Sequence, residues 1–362
     1  MKRLIILLVT VITAVVIYLV FDILIPAGVF KDIRPHFNGS EQVLPLSWSG
    51  PEDICVDRSS EIVFISVDDR RANLVKPGSV PGAILLFNPL ADTPSFRNVT
   101  PVGMSDFHPH GLSLWRSPEG RVLLFAVNHL QKTAGHAVDR FEWRNDSLIH
   151  LEQIIDPELM TSPNDVLAVD ERSFYVTNDH RYPNPGWQRT LEDYLQQAIS
   201  YVNYFDGKAM RQVATDIAYA NGINRSPDGR RIYVAATTGR NVITYDVDSM
   251  DGSLKKISET DMGTGVDNIE VDEAGDLWIG CHPQLLKFVA HAADSSKKSP
   301  SQVLRLKPLA DGGFRTEEVY LNDGNAYSGS TVAVPVGDRL LVGSVFEQML
   351  LICRRDINPS IN

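Results

Sequence analysis

A strand–turn–strand unit recurs six times along the chain, and this repetition limits the possible folds more than any other feature. Each unit is a polar or acidic residue, a strand rich in Val, Ile, Leu, Phe and Tyr, a turn, and then a second such strand. The units begin at Glu52, His110, Asn164, Asn221, Asp267 and Gly329, at spacings of 46 to 62 residues. Propeller repeats of about 40 to 50 residues hold four strands each. The pattern predicts an all-β fold, a six-bladed β-propeller over residues 42–356.

The N-terminus carries a second signal, an almost unbroken apolar run over residues 4–25. A helix of that length rises about 33 Å, enough to cross a bilayer core. A cleavable signal peptide usually has a shorter apolar region and a small-x-small site, which Pro26-Ala27-Gly28 matches poorly. We therefore expect a transmembrane signal anchor rather than a cleaved signal. Residues 1–3, with Lys2 and Arg3, would form a cytoplasmic stub, and residues 26–41 a juxtamembrane linker. The propeller would lie on the non-cytoplasmic side: periplasmic, luminal or extracellular.

One strongly helical stretch, residues 184–205, interrupts the β pattern. Its apolar residues fall on one helical stripe, at Leu191, Tyr194, Leu195, Ala198, Ile199 and Val202. The stripe predicts a short amphipathic helix, either docked on the propeller surface or forming a lid over a channel mouth.

Composition excludes several classes of protein. With 43% hydrophobic and 22% charged residues, the chain is neither wholly disordered nor a multi-span membrane protein. A net charge of −11 disfavours nucleic acid as a partner and suits a protein that holds divalent cations. Three cysteines are too few for a disulfide scaffold and lack zinc-site spacing. The sequence also lacks the G-x-S-x-G, H-E-x-x-H and phosphate-binding-loop motifs, which argues against serine hydrolysis and nucleotide chemistry.

Hard oxygen donors occupy four of the six repeat starts. The innermost strand of a propeller blade begins at the central channel, so residues at these positions converge on one axis. They are Glu52-Asp53, Asn164-Asp165, Asn221 and Asp267-Asn268. A single Asn-Asp pair is usually a turn, but turns are not required at strand starts. Calcium takes six to eight oxygen ligands, whereas zinc prefers His and Cys. The carboxylates of Glu52 and Asp267, with the amide oxygens of Asn164, Asn221 and Asn268, therefore predict a calcium site.

Two histidines lie near this predicted site. His110 and His129 stand at opposite ends of one β-hairpin whose turn is Pro118-Glu119-Gly120, so the fold would bring them together. A lone histidine is more often structural. A pair beside a metal site is suited to be a general base and the partner that orients it.

In these motifs the chain resembles the serum paraoxonase/arylesterase family from about residue 42 to 353. The shared motifs are, in order, SGPEDI, HPHG, VNH, PNDVLAV, TNDH, ANGIN with SPDG, VDNI, GCHP and GSVF. Each motif is weak alone, but their order and spacing together are specific. The resemblance implies a propeller with two bound Ca²⁺ ions that hydrolyses lactones and aryl esters.

The resemblance also implies roles for individual residues. A catalytic Ca²⁺ would be held by Glu52, Asn164, Asn221, Asp267 and Asn268, and a deeper structural Ca²⁺ by Asp53, Asp165 and the backbone carbonyl of Leu112. His110 would be the base and His129 its partner. The substrate-binding residues would be Asp179, His180, His282 and the apolar wall formed by Tyr219, Val345 and Phe346.

The chain departs from the family at two places. The family joins an N-terminal cysteine to one near the C-terminus; Cys353 is present here, but residues 42–52 contain no cysteine. Closure of the ring must then rest on strand pairing, with residues 43–48 completing the last blade. The family also carries a tyrosine in an active-site loop where this chain reads Asp-Arg-Arg at 69–71. Phosphotriester hydrolysis and fine substrate preference are therefore not implied.

The sequence thus favours a membrane-anchored, calcium-dependent lactonase and arylesterase acting on small lipophilic esters. Two alternatives remain at this stage. One is a sugar lactonase of the broader group of six-bladed propellers. The other is a non-catalytic propeller that uses calcium for rigidity and binds a partner.

Overall fold

Six antiparallel sheets form the blades of a β-propeller in the computed structural model, which describes residues 2–91, 94–133 and 135–355. Two strands precede the first blade, β1 (His36–Phe37) and β2 (Gly39–Pro45). The first three blades comprise β3 (Pro51–Asp57), β4 (Ile62–Val67), β5 (Ala83–Phe87) and β6 (Phe96–Asn98); β7 (Pro109–Arg116), β8 (Val122–Leu130), β9 (Gly135–Arg144) and β10 (Ser147–Ile154); and β11 (Pro163–Ala168), β12 (Phe174–Asn178), β13 (Ser200–Phe205) and β14 (Met210–Ile217).

The last three blades follow the same order. They comprise β15 (Ala220–Arg225), β16 (Arg231–Ala236), β17 (Asn241–Val247) and β18 (Leu254–Asp261); β19 (Gly265–Val271), β20 (Leu277–His282), β21 (Ser301–Pro308) and β22 (Phe314–Asn322); and β23 (Ser330–Val336), β24 (Arg339–Ser344) and β25 (Met349–Arg355). The first strand of each blade contacts the first strands of both neighbouring blades, so the ring closes around a central channel. The predicted six-bladed propeller is confirmed.

Strand pairing closes the ring. β2 pairs antiparallel with β25, with Glu41 opposite Cys353, and so supplies the fourth strand of the last blade. The predicted closure by strand pairing is confirmed, but the closing strand is Gly39–Pro45 rather than residues 43–48, so it begins inside the segment predicted as a linker. In the same segment, β1 adds a fifth strand to the β19–β22 blade. Cys55, Cys281 and Cys353 are all buried free thiols, so none of the three forms a disulfide within the described ranges.

The hydrophobic core is divided into six clusters, one between each pair of adjacent blades. Successive side chains of a strand point to opposite faces of its sheet, and both faces of a blade are covered by a neighbour. In β4, Val63 and Ile65 pack toward the last blade, while Phe64 packs toward the second. This double burial explains why the inner strands read as continuous apolar runs. Each buried aliphatic or aromatic side chain contributes about 1.5–3 kcal/mol to the free energy of unfolding.

Four α-helices accompany the blades in the part of the chain that the structure describes. They are α1 (Lys2–Tyr18), which continues as a wider π-helical stretch over Leu19–Leu24, then α2 (Arg70–Val75), α3 (Trp187–Tyr194) and α4 (Leu285–Ala293). The segment Lys2–Leu24 is long and apolar enough to cross a membrane. The prediction of a helix over 184–205 is wrong in extent, because the chain re-enters the sheet as β13, where Val202 is fully buried against β12 and β14. The predicted stripe therefore combined a short helix with the apolar face of a strand.

Candidate functional site

Every blade interrupts its hydrogen-bond ladder at the same place, near the start of the innermost strand. The pairing between the first and second strands shifts register at Glu52, His110–Gly111, Asn164–Asp165, Asn221–Gly222, Asp267–Asn268 and Thr331. A β-bulge bends its strand and changes the direction in which side chains point. Six aligned bulges therefore gather at the channel the polar residues that the sequence places at the repeat starts.

Glycines allow the inner strands to approach closely at these bulges. A Cβ atom added to Gly222 would lie 2.6 Å from the Asp267 carbonyl oxygen and from the Asn268 Cα. One added to Gly111 would lie 2.3 Å from Asp165 Oδ1. Both distances are too short for a side chain, so these two positions require glycine.

A cavity of about 630 Å³ lies at the channel mouth. Its polar lining includes Glu52, His110, Asn164, Asn221, Asp267 and His282. Its lining also contains Tyr219, Val345 and Phe346, the three residues expected to form an apolar wall. The structure thus brings together on one cavity most of the residues that the sequence identifies.

Four buried oxygens at this site make no hydrogen bond within the part of the chain that the structure describes. These four open oxygens are Glu52 Oε2, Asn164 Oδ1, Asn221 Oδ1 and Asn268 Oδ1. Their residues are at most 4% exposed. A buried polar atom without a partner costs about 1–3 kcal/mol, so four of them in one place call for a ligand.

The amide groups are held so that their oxygens remain free. Asn164 Nδ2 donates to Asp179 Oδ2 at 3.1 Å, and Asn221 Nδ2 donates to Thr237 Oγ1 at 3.0 Å. Asn268 Nδ2 donates to Glu52 Oε1 at 2.9 Å. Each nitrogen thus donates to a protein acceptor, and the oxygen's lone pairs are left for a hydrogen-bond donor or a positively charged ligand. A cation meets that description.

The charges at the site are balanced by neighbouring side chains. Burial raises the pKa of Asp267, although the nearby His282, whose Nε2 lies 2.7 Å from Asp267 Oδ2, acts in the opposite direction. Burial also tends to raise the pKa of Glu52. The charges of His110 and Arg70 outweigh burial there and hold the pKa of Glu52 below its ordinary value. His110 Nε2 lies 3.5 Å, and Arg70 Nη2 3.9 Å, from the Glu52 carboxylate.

The donor set fits a hard cation better than a soft one. Two carboxylates and three amide oxygens match the ligands that Ca²⁺ prefers. Within the described ranges, no group of three or more His, Cys, Asp and Glu side chains could hold a metal ion. A zinc site built from histidine and cysteine is therefore not present in that part of the chain.

Asp53 directly follows the bulge of β3 and Asp165 lies within that of β11, but both carboxyls face the neighbouring blades. Asp53 Oδ2 accepts a hydrogen bond from the Leu112 backbone N–H at 2.6 Å, and Asp165 Oδ2 accepts one from Ile223 at 2.8 Å. Burial, followed for Asp53 by the charge of Asp165, raises the pKa of each carboxyl well above its ordinary value. Neither carboxylate forms a salt bridge to a cationic side chain among the described residues. Both carboxyls thus link adjacent blades and would be stabilised in their charged form by a cation.

The two histidines expected to form a pair do meet. His110 Nδ1 and His129 Nε2 are 2.8 Å apart. A third histidine, His136, which the sequence interpretation missed, continues the chain, with its Nδ1 at 2.9 Å from His129 Nδ1. Only His110 of the three lines the cavity. The register of the β8–β9 hairpin, which places His129 opposite His136, is the signal that would have revealed it.

Asp179 and His180 lie one layer behind the cavity wall rather than in it. Asp179 accepts hydrogen bonds from Ser162 and Asn164, and its Oδ1 lies 2.7 Å from His180 Nδ1. The His180 ring packs edge-on against Tyr219 with ring centroids 4.9 Å apart. This pair therefore supports residues of the cavity lining.

Much of the apolar wall comes from segments that the sequence interpretation did not place at the site. The helix α4 contributes Leu285, Leu286, Phe288, Val289 and Ala292, and the residues that follow α1 contribute Ile23, Pro26 and Ala27. The Phe288 ring stacks on His282 at a centroid distance of 3.7 Å. From α3, Thr190, Asp193 and Tyr194 also line the cavity. The cavity mouth is thus bounded by α3, α4 and the end of the apolar N-terminal segment.

The N-terminal segment is fixed to this mouth by hydrogen bonds to its backbone carbonyls. Gln196 Nε2 donates to the Asp22 carbonyl at 2.7 Å. The Leu285 backbone N–H donates to the Ala27 carbonyl at 2.9 Å. The Gln284 side-chain Nε2 donates to the Lys31 carbonyl at 3.0 Å. The apolar N-terminal helix therefore ends directly beside the cavity.

Comparisons with known proteins identify the family of the chain. The family model described as Arylesterase matches residues 61–354. Human serum paraoxonase/arylesterase 1 is 35% identical over 275 residues, which cover 75% of this chain and 76% of that protein. Among solved structures, regucalcin, a calcium-binding protein from Agrobacterium tumefaciens, has a TM-score of 0.52 at 15% identity, covering 90% of this chain and 98% of that one.

A gluconolactonase from Xanthomonas campestris has a TM-score of 0.51 at 14% identity, covering 90% of this chain and 98% of that one. At such low identity, these two structures share the fold alone. The family model spans most of the chain, and the identity to the human relative extends over three quarters of both sequences. The chain belongs to the serum paraoxonase/arylesterase family of ester hydrolases.

Proposed function

We propose that this protein is a membrane-anchored, Ca²⁺-dependent hydrolase of lactones and aryl esters. The observation that carries the proposal is the set of four open oxygens, which lie beside a histidine whose ring lines the same cavity. The catalytic ion would be held by Glu52, Asn164, Asn221, Asp267 and Asn268. When bound, calcium supplies polarisation of the ester carbonyl and stabilisation of the oxyanion.

The protein's own groups would move the proton. His110 Nε2 takes a proton from water as the water oxygen bonds to the carbonyl carbon, and the ester C–O bond then breaks. The imidazolium returns that proton to the departing alkoxide, so the base is regenerated. His129, at 2.8 Å from His110, orients the ring for both transfers. The apolar wall from α4 excludes water from the acyl chain.

A second, structural ion is proposed at Asp53, Asp165 and the Leu112 carbonyl. Two buried carboxyl groups whose pKa values are both raised, chiefly by burial and for Asp53 next by the charge of Asp165, support a cation between them. Counting the ions in the purified protein by elemental analysis tests this number. Two bound Ca²⁺ per chain are expected in the wild type, and one in an Asp53→Asn variant that remains folded.

The substrate class follows from the wall of the cavity. The α4 side chains and Phe346 present apolar groups, whereas a sugar would need hydrogen-bonding partners there. The exposed apolar helix Lys2–Leu24 supports insertion in a membrane, with Lys2 and Arg3 on the cytoplasmic side and the propeller on the other. Protease protection of the propeller in sealed vesicles tests that topology.

The substrate assignment is tested by comparing three substrates: phenyl acetate, a long-chain aliphatic lactone and gluconolactone. We expect the first two to be hydrolysed with much higher kcat/KM than the third. Preference for gluconolactone would instead identify a sugar lactonase. Absence of all three activities in protein that binds calcium would indicate a non-catalytic propeller.

A further inference from the structure

The histidine pair is the inner part of a chain of three imidazoles. His110 lies at the bulge of β7, His129 at the end of β8, and His136 at the start of β9, directly opposite His129. The three rings are joined by contacts of 2.8 and 2.9 Å between ring nitrogens. Successive ring centroids are 5.0 Å apart. The hairpin between β8 and β9 therefore places a third ring where it contacts the second ring but not the cavity.

The two hydrogen bonds between the three rings must point in the same direction, because the position of the hydrogen on one ring determines its position on the next. A neutral imidazole carries one N–H and one acceptor nitrogen. For His110 Nε2 to accept a proton from water, its hydrogen must be on Nδ1 and donated to His129 Nε2. The hydrogen of His129 is then on Nδ1, so His136 Nδ1 must be the acceptor. In the opposite direction, which the Glu52 carboxylate 3.5 Å from His110 Nε2 favours as long as no cation neutralises it, His110 Nε2 carries a hydrogen and cannot act as a base.

The surroundings of His136 allow the productive direction. Burial lowers the pKa of the His136 ring below its ordinary value, so the ring is neutral and has one nitrogen free to accept a hydrogen bond. Burial, and then the charges of His110 and His136, lower the pKa of His129 well below its ordinary value and keep that ring neutral. The other charged groups that act on the two rings are Arg70, Asp179 and Arg189.

We infer that His136 is a positioning residue that selects the catalytically competent tautomer of His129, and through it of His110. This inference rests on the proposed function, because it assigns a third residue to the same proton transfer. His136 is not among the residues that line the cavity, so it would affect turnover rather than substrate binding.

Two substitutions distinguish the effect of the hydrogen-bond acceptor at position 136 from the effect of the ring's packing. Asp at position 136 can only accept a hydrogen bond from His129, whereas Phe fills the same space without an acceptor. We expect His136→Phe to lower kcat by about 10- to 100-fold, the range typical of a lost orienting partner, with KM and Ca²⁺ affinity unchanged. His136→Asp should keep kcat within about threefold of the wild type. Equal losses in the two folded variants, or wild-type kcat in His136→Phe, would overturn the inference.

A second readout does not depend on activity. Nitrogen NMR of protein labelled at histidine distinguishes the protonated from the unprotonated ring nitrogen. In the wild type, His129 should carry its hydrogen on Nδ1, and this preference should disappear in His136→Phe. A hydrogen on His129 Nε2 in the wild type would overturn the inference even if the protein hydrolyses esters. Absence of hydrolysis with the expected tautomer would refute the proposed function while leaving the hydrogen-bonded chain intact.

Discussion

Asn268 donates a hydrogen bond of 2.9 Å to the carboxylate of Glu52, although 216 residues separate them in sequence. The bond connects the first strand of the fifth blade to that of the first blade. It leaves one oxygen on each residue open toward the same site. The two residues thus form one edge of a cation site that exists only when the ring is closed. Calcium affinity and the stability of the ring should therefore be coupled.

Replacement of Asn221 by Leu should reveal this coupling. The change removes one open oxygen, so Ca²⁺ affinity should fall at least about tenfold. In excess EGTA the thermal midpoint should fall only slightly, because the lost amide oxygen has no partner there and the change removes just the hydrogen bond from Nδ2 to Thr237. Thermal melts with and without Ca²⁺ measure the effect.

Asn203→Leu is the matched control for this variant. Asn203 is a fully buried amide whose Oδ1 also makes no hydrogen bond in the described part of the chain, but it is not among the residues lining the cavity. Asn203→Leu should shift the thermal midpoint by the same amount with Ca²⁺ and in excess EGTA. An equal response of both variants to calcium would argue against Asn221 as a ligand.

Substitution of His110 separates proton transfer from metal binding. His110→Gln should retain Ca²⁺ while lactone turnover falls by roughly 10²–10⁴-fold, as for a lost general base. His129→Gln should cost less, because His129 orients the base without touching the cavity. Aryl esters have better leaving groups and should be affected less than lactones. The measurements are kcat on both substrates and calcium affinity for each variant.

His150→Gln is a suitable control for these variants, because His150 contacts Asp139 and is not among the cavity-lining residues. Wild-type lactone turnover in His110→Gln would remove the histidine from the mechanism. Loss of calcium in that variant would instead make His110 part of the metal site.

The positions of the site residues could be predicted because the bulge recurs at the same point in every blade. That point is occupied by Glu52, Asn164, Asn221 and Asp267. Locating the residue in one blade therefore locates the equivalent residues in the other blades. Closure by strand pairing could be inferred because Cys353 has no possible partner in residues 42–52.

The surroundings of the site could not be predicted in the same way. The helix α4 lies between two strands of one blade and obeys no repeat. The end of α3 was missed because Val202 continues a helical spacing by coincidence, although its side chain packs within a sheet. His136 could not be placed because its position opposite His129 depends on the register of the β8–β9 pairing, which no local sequence pattern determines. The contact of Ala27 with Leu285 joins segments that no local pattern relates.

The ion pair behind the cavity should make stability depend on pH. Burial disfavours the charged form of His180, but the charge of Asp179 and the hydrogen bonds to Asp179 and Asp193 outweigh it and raise the pKa of His180 to about 10. The ordinary pKa of histidine is 6.5, so the ion pair's contribution to the free energy of unfolding is fully present below about pH 6.5. That contribution is lost as the pH rises through about 10.

His180→Asn should therefore destabilise the protein more at pH 6 than at pH 10.5. Urea unfolding of the wild type and the variant at both pH values measures the difference. An equal loss of unfolding free energy at the two pH values would show that His180 contributes only by packing against Tyr219.

Truncation tests the role of the N-terminal segment in the cavity. Deletion of residues 2–21 leaves Ile23, Pro26 and Ala27 in place and should preserve KM. Deletion of residues 2–30 removes that part of the wall and should raise KM several-fold for a long-chain lactone, and less for phenyl acetate. Both proteins should fold, because β1 begins at His36. The same KM in both truncated proteins would exclude this segment from substrate binding.

A calcium titration of the chelated full-length protein tests the central claim most directly. Bound Ca²⁺ and the rates of phenyl acetate and lactone hydrolysis are measured at each calcium concentration in detergent. The account predicts negligible rates in excess EGTA and a rise of both rates in parallel with occupancy of the catalytic site. Full hydrolysis of either substrate by protein from which calcium has been removed would contradict it.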